Sequence, residues 1–244
     1  MSEYRSMLVV YAVVLAAWGL PSRSPASDSS SDAGLHPVRQ QRFCVTNGVL
    51  STRADGKLAI DTASSRAVMR QSAGQIAEIR FRYLGPSAES KPLASGEMRR
   101  QIGIKLRARD TCNLLYVMWH IEPDGKIEVS VKSNPGKHAH SECHADGYTT
   151  LKPSFSVSVP RVLPGDAHTL RAELRGNDVT VSVDGGTVWA GSVGDRIQAI
   201  DGPVGFRTDN GRFAFEYLAR DLDAGTTRRE ADQDLYQCEV GPGD

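Results

Sequence analysis

The sequence lacks an excess of charge of either sign. Its 244 residues include 29 lysines and arginines and 29 aspartates and glutamates, a balance that argues against a nucleic-acid partner held by bulk charge. It also lacks helical periodicity of useful length, which leaves an all-β protein as the prediction. Phosphate-binding loops, serine nucleophile elbows and zinc-binding helix motifs are absent too, so the signatures of those enzyme classes are missing.

The N-terminal apolar run, Met7 to Leu20, is too short to span a bilayer comfortably. Arg5 precedes it and small residues around Ala26 follow it, as in a secretory signal peptide. We therefore predict a signal peptide over 1–26, a disordered linker over 27–41, one domain over 42–238 and a tail over 239–244. The protein would be secreted, periplasmic or extracellular, with no stable membrane span after processing. A retained anchor is the alternative, although no cysteine follows the run to carry a lipoprotein anchor.

The stretch from Ala167 to Leu218 alternates apolar and polar side chains in the way that typifies half-buried strands. Residues 167–175 and 179–184 flank the turn Gly176-Asn177-Asp178 and predict an antiparallel hairpin. A second pair of strands, 203–208 and 212–218, flanks the turn at 209–211. Together these strands predict a meander, which needs a second sheet to cover its apolar face.

The same alternation predicts further strands upstream. They span 43–50 at a sheet edge, 57–61, 66–70, 75–84, 101–109, 114–121, 126–132 and 155–159. In 101–109, Ala108 is expected to face the core with Ile102. Residues 114–121 are apolar on both faces, so Trp119 should fill the core while Tyr116 and His120 lie in a groove or beneath a loop. We predict an all-β, antiparallel two-sheet jelly-roll sandwich.

The C-terminal half resembles laminin-G-like domains of the concanavalin A-like lectin/glucanase superfamily. The resemblance is carried by AHTLRAELRGNDVTVSVDGGTVWAG and GPVGFRTDNGRFAFEYLA: a strand, a glycine turn, a strand ending in Asp-Gly, then Gly-x-x-Gly-Phe and an aromatic last strand. It implies a concanavalin A-like sandwich over about Arg42 to Cys238, with a ligand groove on its concave sheet. Because this scaffold carries lectins, hydrolases, lyases and adhesion modules, it specifies a fold better than an activity.

Four cysteines in an exported chain imply disulfides and allow three connectivities. In sandwiches of the resembled type the chain ends lie near each other, which implies that Cys44 pairs with Cys238 and Cys112 with Cys143. Free thiols or a metal site are the alternative.

A cationic and aromatic set of outward side chains is the candidate ligand-binding surface. Aromatic rings stack on sugars, and guanidinium forks bind hydroxyls or carboxylates. These side chains converge in one groove only if their strands are neighbours on the concave sheet; otherwise they form an ordinary solvated face. The candidates are Arg80, Arg82, Lys105, Arg107, Arg109, Tyr116, His120, Arg171 and Glu173.

No catalytic residue is predicted. The run Arg171 to Arg175 is similar to an Arg-x-Glu-Leu-Arg strand motif of alginate lyases on the same fold. However, no histidine follows His168 to form their Gln-x-His strand, and the final strand lacks the expected context of a catalytic tyrosine. The Glu-x-Asp-x-x-Glu strand of laminarinase-type hydrolases is also absent. Glu173 stands between arginines rather than about 5 Å from a second acid, as a retaining glycosidase requires.

No metal site is predicted either. Three histidines of the 133–148 loop have spacing that suits a transition metal, but an oxidised Cys143 could not join them. Calcium is common in the resembled superfamily and is left open, although turn geometry explains the candidate ligands equally well. Those turn residues are Asp184, Asp201, Asp209 and Asn210.

The function that follows is a secreted, non-catalytic carbohydrate-binding or recognition module, with anionic polysaccharide as a candidate ligand. The alternatives are a polysaccharide-cleaving enzyme, either a lyase or a glycoside hydrolase, and a structural domain that binds other proteins. We expect an extracellular glycan partner, a monomer, no nucleic acid and no cofactor.

Overall fold

Residues 34–144 and 147–220 are described by the structure, a computed structural model. In chain order its strands are β1 (His36–Pro37), β2 (Phe43–Asn47), β3 (Ser51–Thr52), β4 (Leu58–Ile60), β5 (Ser64–Met69), β6 (Ile76–Pro86), β7 (Arg100–Leu106), β8 (Asn113–Glu122), β9 (Lys126–Ser133), β10 (Tyr148–Thr150), β11 (Phe155–Ser156), β12 (Ala167–Arg175), β13 (Asp178–Val183), β14 (Gly186–Ser192), β15 (Gly205–Asp209) and β16 (Gly211–Ala219). Short helical segments lie at Gln40–Arg42, at His140–Cys143 (α1) and at Gly194–Ile197. Within this part of the chain no helix is long and apolar enough to cross a membrane.

The described strands form two antiparallel sheets. The nine-stranded sheet runs in the order β11-β14-β13-β12-β6-β16-β4-β3, and β1 pairs with β16 outside this path. The seven-stranded sheet runs in the order β10-β9-β8-β7-β15-β5-β2, with β2 at the predicted edge. The predicted antiparallel two-sheet sandwich is therefore confirmed.

One apolar core lies between the two sheets. Ile79, Phe81 and Tyr83 of β6 point into it, as their alternation predicts, and Trp119 of β8 enters from the other sheet. Phe81 and Trp119 meet edge to face, with ring centroids 5.4 Å apart. Burying such aromatic side chains is the main favourable contribution to stability, since each removes a large apolar area from water.

The predicted pairing of the second pair of strands, 203–208 with 212–218, is wrong, because β15 and β16 belong to different sheets. β15 pairs with β5 and β7, whereas β16 pairs with β4 and β6. At Asn210, whose φ of 54° is left-handed, the chain crosses the edge of the sandwich. Each strand then turns its apolar face to the core, where Phe206 and Phe215 pack edge to face at 5.4 Å. The predicted meander exists only as β12, β13 and β14.

The predicted inward position of Ala108 is also wrong. The preceding Arg107 has a φ of 47°, which breaks the alternation of β7. Ala108 therefore packs in a second apolar cluster with Leu114 and Tyr116, separate from the main core.

The predicted domain limits stay predictions, and the predicted signal peptide over 1–26 and tail over 239–244 lie outside the described residues. The range predicted as a linker contains β1, so pairing in the sheet begins before residue 42. The Cys112–Cys143 disulfide is present, with an S–S distance of 2.07 Å. Cys238 lies outside the described residues, so the pairing of Cys44 with Cys238 stays a prediction.

Candidate functional site

A groove of about 400 Å³ lies on the outer face of the seven-stranded sheet, the face turned away from the core. Strands β5, β7, β8, β9, β10 and β15 supply its floor, because alternate residues of each strand point away from the core. Residues between Lys91 and Arg99 form a wall, and His140 of α1 also lines the groove. This volume falls in the range of ligand-binding pockets.

Strand pairing arranges the floor in rows that run across the sheet. The first row consists of Ser64, Asp209, Gln101 and His120. The second row consists of Arg66, Arg207, Gly103, Met118 and Glu128. The third row includes Lys105, Tyr116 and Ser130. Polar and charged groups from five strands thus share one surface.

A buried ion pair lies at the centre of this surface. Nε of Arg207 donates to Oδ2 of Asp209 at 2.7 Å, and Nε2 of Gln101 donates to the same oxygen at 2.6 Å. Burial alone would raise the pKa of Asp209, but the charges of Arg207 and Arg66 and these hydrogen bonds outweigh it and hold the pKa below its usual range. Asp209 is therefore a fixed carboxylate and cannot act as a proton donor at neutral pH.

The guanidinium of Arg207 reaches across β7 to two tyrosines. It lies 5.5 Å from the ring centroid of Tyr116, and its Nη1 donates to the Tyr148 hydroxyl at 3.3 Å. The residue of β7 opposite Arg207 is Gly103, so no side chain stands in the way. Tyr116 is buried, and its ring also stacks on Tyr148 at 5.8 Å. Tyr116 thus supports Arg207 and does not offer a free face to a sugar ring.

His120 connects the floor to the wall. Because arginine can only donate, Nη1 of Arg99 donates to Nε2 of His120, 3.3 Å away, and this nitrogen must be unprotonated. Burial lowers the pKa of His120 to about 4, an effect that Glu128 offsets only in part. His120 is therefore neutral at pH 7. Glu128 in turn lies 3.5 Å from Arg99, whose other carboxylate partner is Glu97.

Asn210 anchors both ends of the wall. Its Oδ1 accepts a hydrogen bond from the Lys91 backbone amide at 2.8 Å, and its Nδ2 donates to the carbonyls of Lys91 and Arg99 at 2.8 and 2.9 Å. Asn210 is 1% exposed, so these bonds are shielded from water. The wall is thereby fixed to the turn that carries the chain from β15 to β16.

The disulfide places α1 beside the groove. Cys112 precedes β8 and Cys143 ends α1, so the bond fixes this segment to the sheet that forms the floor. Nζ of Lys132, a fully buried residue, donates to the Thr111 carbonyl at 2.7 Å and lies 3.4 Å from Nδ1 of His140. The same ammonium lies 4.7 Å from the ring centroid of Tyr148. Disulfide and buried lysine together fix the position of His140.

The structure divides the predicted ligand-binding set between the two sheets. Tyr116 and His120 line the groove, and Lys105 lies buried next to Tyr116. Arg80, Arg82, Arg171 and Glu173 belong to β6 and β12 of the nine-stranded sheet. The predicted convergence of the whole set in one groove therefore does not occur.

Arg107 and Arg109 also lie away from the groove. Nη1 of Arg107 donates to the carbonyls of Ile197 and Ile200, and Nη1 of Arg109 donates to that of Ala199. Both arginines thus hold the segment around the last short helix rather than a ligand surface.

Several groove residues were not among the predicted ones. They are Arg66, Arg99, Gln101, Glu128, Tyr148 and Arg207. The sequence held one usable signal: in 206–209, Phe206 alternates with Arg207 and Thr208 with Asp209, which puts an arginine and an acid on the same face of a strand. That face was not assigned because the strand was placed in the wrong sheet.

The proposed calcium ligands do not gather at one point. Asp184 accepts from His168 at 2.7 Å, and Asp209 and Asn210 are engaged in the groove as described above. Within residues 34–144 and 147–220, no three His, Cys, Asp or Glu side chains form a group that could hold a metal ion.

No protein-family model and no curated protein matches the sequence. Among solved structures, the carbohydrate-binding module CBM66 from Bacillus subtilis is 12% identical, matches 74% of this chain and 96% of its own, and has a TM-score of 0.51. The Emp46p carbohydrate recognition domain matches at 10% identity, with 75% and 89% coverage and a TM-score of 0.46. A Crh5 transglycosylase matches at 13%, with 78% and 85% coverage and a TM-score of 0.45. At these identities the first likeness establishes the fold alone, and the other two carry no argument.

Proposed function

We propose that the protein is an exported glycan-binding module whose groove holds a polysaccharide without cleaving it. The observation that carries the proposal is the floor itself, where fixed donors and acceptors from five strands face one cavity between the wall held by Asn210 and the disulfide-bonded α1. Sugars are recognised through such preoriented guanidinium, carboxylate and amide groups. The fold is one that a carbohydrate-binding module also has, which is compatible with a glycan-related function.

We further propose that the preferred ligand is anionic. The described lining includes four cationic side chains, Arg66, Lys91, Arg99 and Arg207, and three carboxylates, Glu97, Glu128 and Asp209. Each carboxylate already contacts an arginine: Asp209 contacts Arg207, and both glutamates contact Arg99. Lys91 lies on the exposed wall, where an acidic sugar could reach it.

The fixed ionisation of Asp209, the acid at the centre of the floor, supports binding over hydrolysis. A glycosidase acid needs a raised pKa, whereas the pKa of Asp209 is lowered. Export is part of the same proposal, since disulfides such as Cys112–Cys143 persist in oxidising compartments. Membership of the laminin-G-like group and a monomeric state likewise stay predictions.

A glycan array probed with the mature domain tests the proposal. We expect binding to acidic polysaccharides, an affinity at least about tenfold lower for Arg99→Gln, and no change for Arg80→Gln, which removes a cation from the other sheet. Silence across both acidic and neutral glycans would overturn the proposal. Equal losses in the two variants would show that binding depends on overall charge and not on the groove.

Cleavage by elimination is the second candidate, because His120 and Tyr148 line the same cavity as Arg207. Elimination would need the arginine to neutralise a uronate while histidine or tyrosine removes a proton. If the wild type produces the absorbance of unsaturated uronate and His120→Ala does not, elimination would replace non-catalytic binding as the leading proposal.

A further inference from the structure

The orientation of the Gln101 amide is fixed by its neighbour. Asp209 is an ionised carboxylate and can only accept hydrogen bonds, so the Gln101 atom 2.6 Å from it must be the NH2 group. The opposite orientation would place two oxygens against each other. Oε1 of Gln101 therefore points away from the Asp209 oxygen that the NH2 group contacts.

This oxygen is an acceptor without a partner. Gln101 is 2% exposed, and its Oε1 makes no hydrogen bond with any described residue. Buried acceptors are nearly always satisfied, by protein, water or ligand, because an unmade hydrogen bond is costly away from solvent. Gln101 lines the groove, so a group bound in the groove is the natural partner.

The neighbouring groups at this end are acceptors as well. Among residues 34–144 and 147–220, only the Ser64 hydroxyl donates to Oδ1 of Asp209, at 3.2 Å, so this oxygen retains capacity for a second donor. Arg207 contacts the other carboxylate oxygen, Oδ2, through its Nε, its Nη1 extends towards Tyr148, and Arg66 lies in the adjacent row. A carboxylate or sulfate has no proton to donate, so it is disfavoured directly against the two acceptor oxygens Gln101 Oε1 and Asp209 Oδ1.

We propose that the Ser64–Asp209–Gln101 end of the groove is a subsite for an uncharged sugar hydroxyl, which donates its one hydrogen bond to Gln101 Oε1, beside the acceptor Asp209 Oδ1. This inference rests on the proposed function and adds a chemical requirement to it. The bound unit must present a free hydroxyl here, while its acidic group lies elsewhere in the groove. Glycans that are methylated or acetylated at that hydroxyl should not bind.

Side-chain amide signals provide a test that needs no high-affinity ligand. The ¹⁵N–¹H signals of the Gln101 NH2 group, assigned by their loss in Gln101→Leu, are followed while methyl α-glucoside, methyl α-mannoside and methyl α-galactoside are added. We expect a saturable shift with at least one glycoside and none with sodium acetate at the same ionic strength. A shift with acetate, or with none of the glycosides, would overturn the inference, the latter meaning that only water fills the site.

A second measurement separates this subsite from the acidic preference of the groove. Tetragalacturonate and its carboxyl-reduced tetramer are titrated into the wild type, Gln101→Leu and Arg99→Gln, with thermal unfolding confirming that each variant is folded. Gln101→Leu should weaken both ligands by about tenfold, because both carry the hydroxyl, whereas Arg99→Gln should weaken only the acid. A Gln101→Leu effect confined to the acid would overturn the subsite. If neither tetramer binds the wild type, the anionic preference fails while the glycoside titration still decides the subsite.

Discussion

The outer faces of the two sheets carry the same local pattern with different physical results. On each, an arginine and an acid stand two residues apart on one strand and form an ion pair: Arg207 with Asp209 on β15, Arg80 with Glu78 on β6, and Arg175 with Glu173 on β12. The Nε to carboxylate distances are nearly equal, at 2.7, 2.6 and 2.6 Å. Geometry within the pair therefore does not distinguish the faces.

Burial does distinguish them. In the groove both partners are buried, since the side chains of Arg207 and Asp209 are 11% and 1% exposed. On the other sheet the arginine of each pair is exposed: the side chains of Arg80 and Glu78 are 48% and 7% exposed, and those of Arg175 and Glu173 are 76% and 23% exposed. Solvent screens the exposed pairs, while the buried pair interacts strongly and depends on partners such as Gln101. The groove pair is removed from water by the wall and the neighbouring strands, and the pairs on the other sheet are not.

The largest difference should come from neutralising one acid on each face. Asp209→Asn leaves the charge of Arg207 buried without its counter-ion, and we expect the free energy of unfolding to fall by about 3–5 kcal/mol. Glu173→Gln on the other sheet should cost less than about 1 kcal/mol. Urea unfolding of both variants provides the comparison, and similar losses would show that burial is not the deciding difference.

The second-largest effect should come from acid, which lowers the free energy of unfolding through His120 in the groove. The pKa of His120 lies near 4 in the folded protein, below its usual 6.5, so the unfolded state binds the proton more readily between these values. Stability is then full above about pH 6.5 and falls as the pH drops towards 4, by about 3 kcal/mol for this residue. The difference between the wild type and His120→Gln in the pH dependence of the free energy of unfolding measures this contribution. An unchanged profile in that variant would contradict the assignment.

A methyl group on the groove floor tests how closely the strands approach there. A Cβ at Gly103 would lie 2.4 Å from the Val117 carbonyl oxygen and 2.9 Å from the Met118 Cα, so backbone must move. We expect Gly103→Ala to cost roughly 1–3 kcal/mol and to weaken glycan binding. Gly125→Ala, where a Cβ would meet nothing within 4 Å, is the matched control and should leave both quantities nearly unchanged.

The smallest global effect should come from releasing the wall. Asn210→Gly tolerates the left-handed φ but removes the three side-chain bonds to Lys91 and Arg99. Amide exchange at Lys91 should accelerate by roughly thirtyfold, while global stability falls by about 1 kcal/mol or less. Unchanged exchange would mean that other contacts hold the wall.

Much of the fold followed from local pattern, and the site followed only in part. Residues 114–121 were apolar on both sides, which correctly predicted Trp119 in the core and allowed for Tyr116 and His120 in a groove. Arg207 and Asp209 were not predicted as groove residues, because the turn at Asn210 is equally compatible with a hairpin and with a crossing between sheets. Gln101 and Arg99 have no distinguishing local pattern, since their roles depend on residues more than twenty positions away.

The sequence by itself determined which side chains of a strand face the apolar core and which face away from it. Side chains along a strand alternate with a period of two, whichever strand lies alongside. Only the tertiary structure decided which sheet each strand joins, and so which outward residues share a surface. Sheet membership depends on contacts between strands far apart in the chain, such as β15 with β5 and β7, and alternation contains no information about those partners. The arginines of β6 and β12 and the arginine of β15 look alike in sequence, yet they lie on opposite sides of the sandwich.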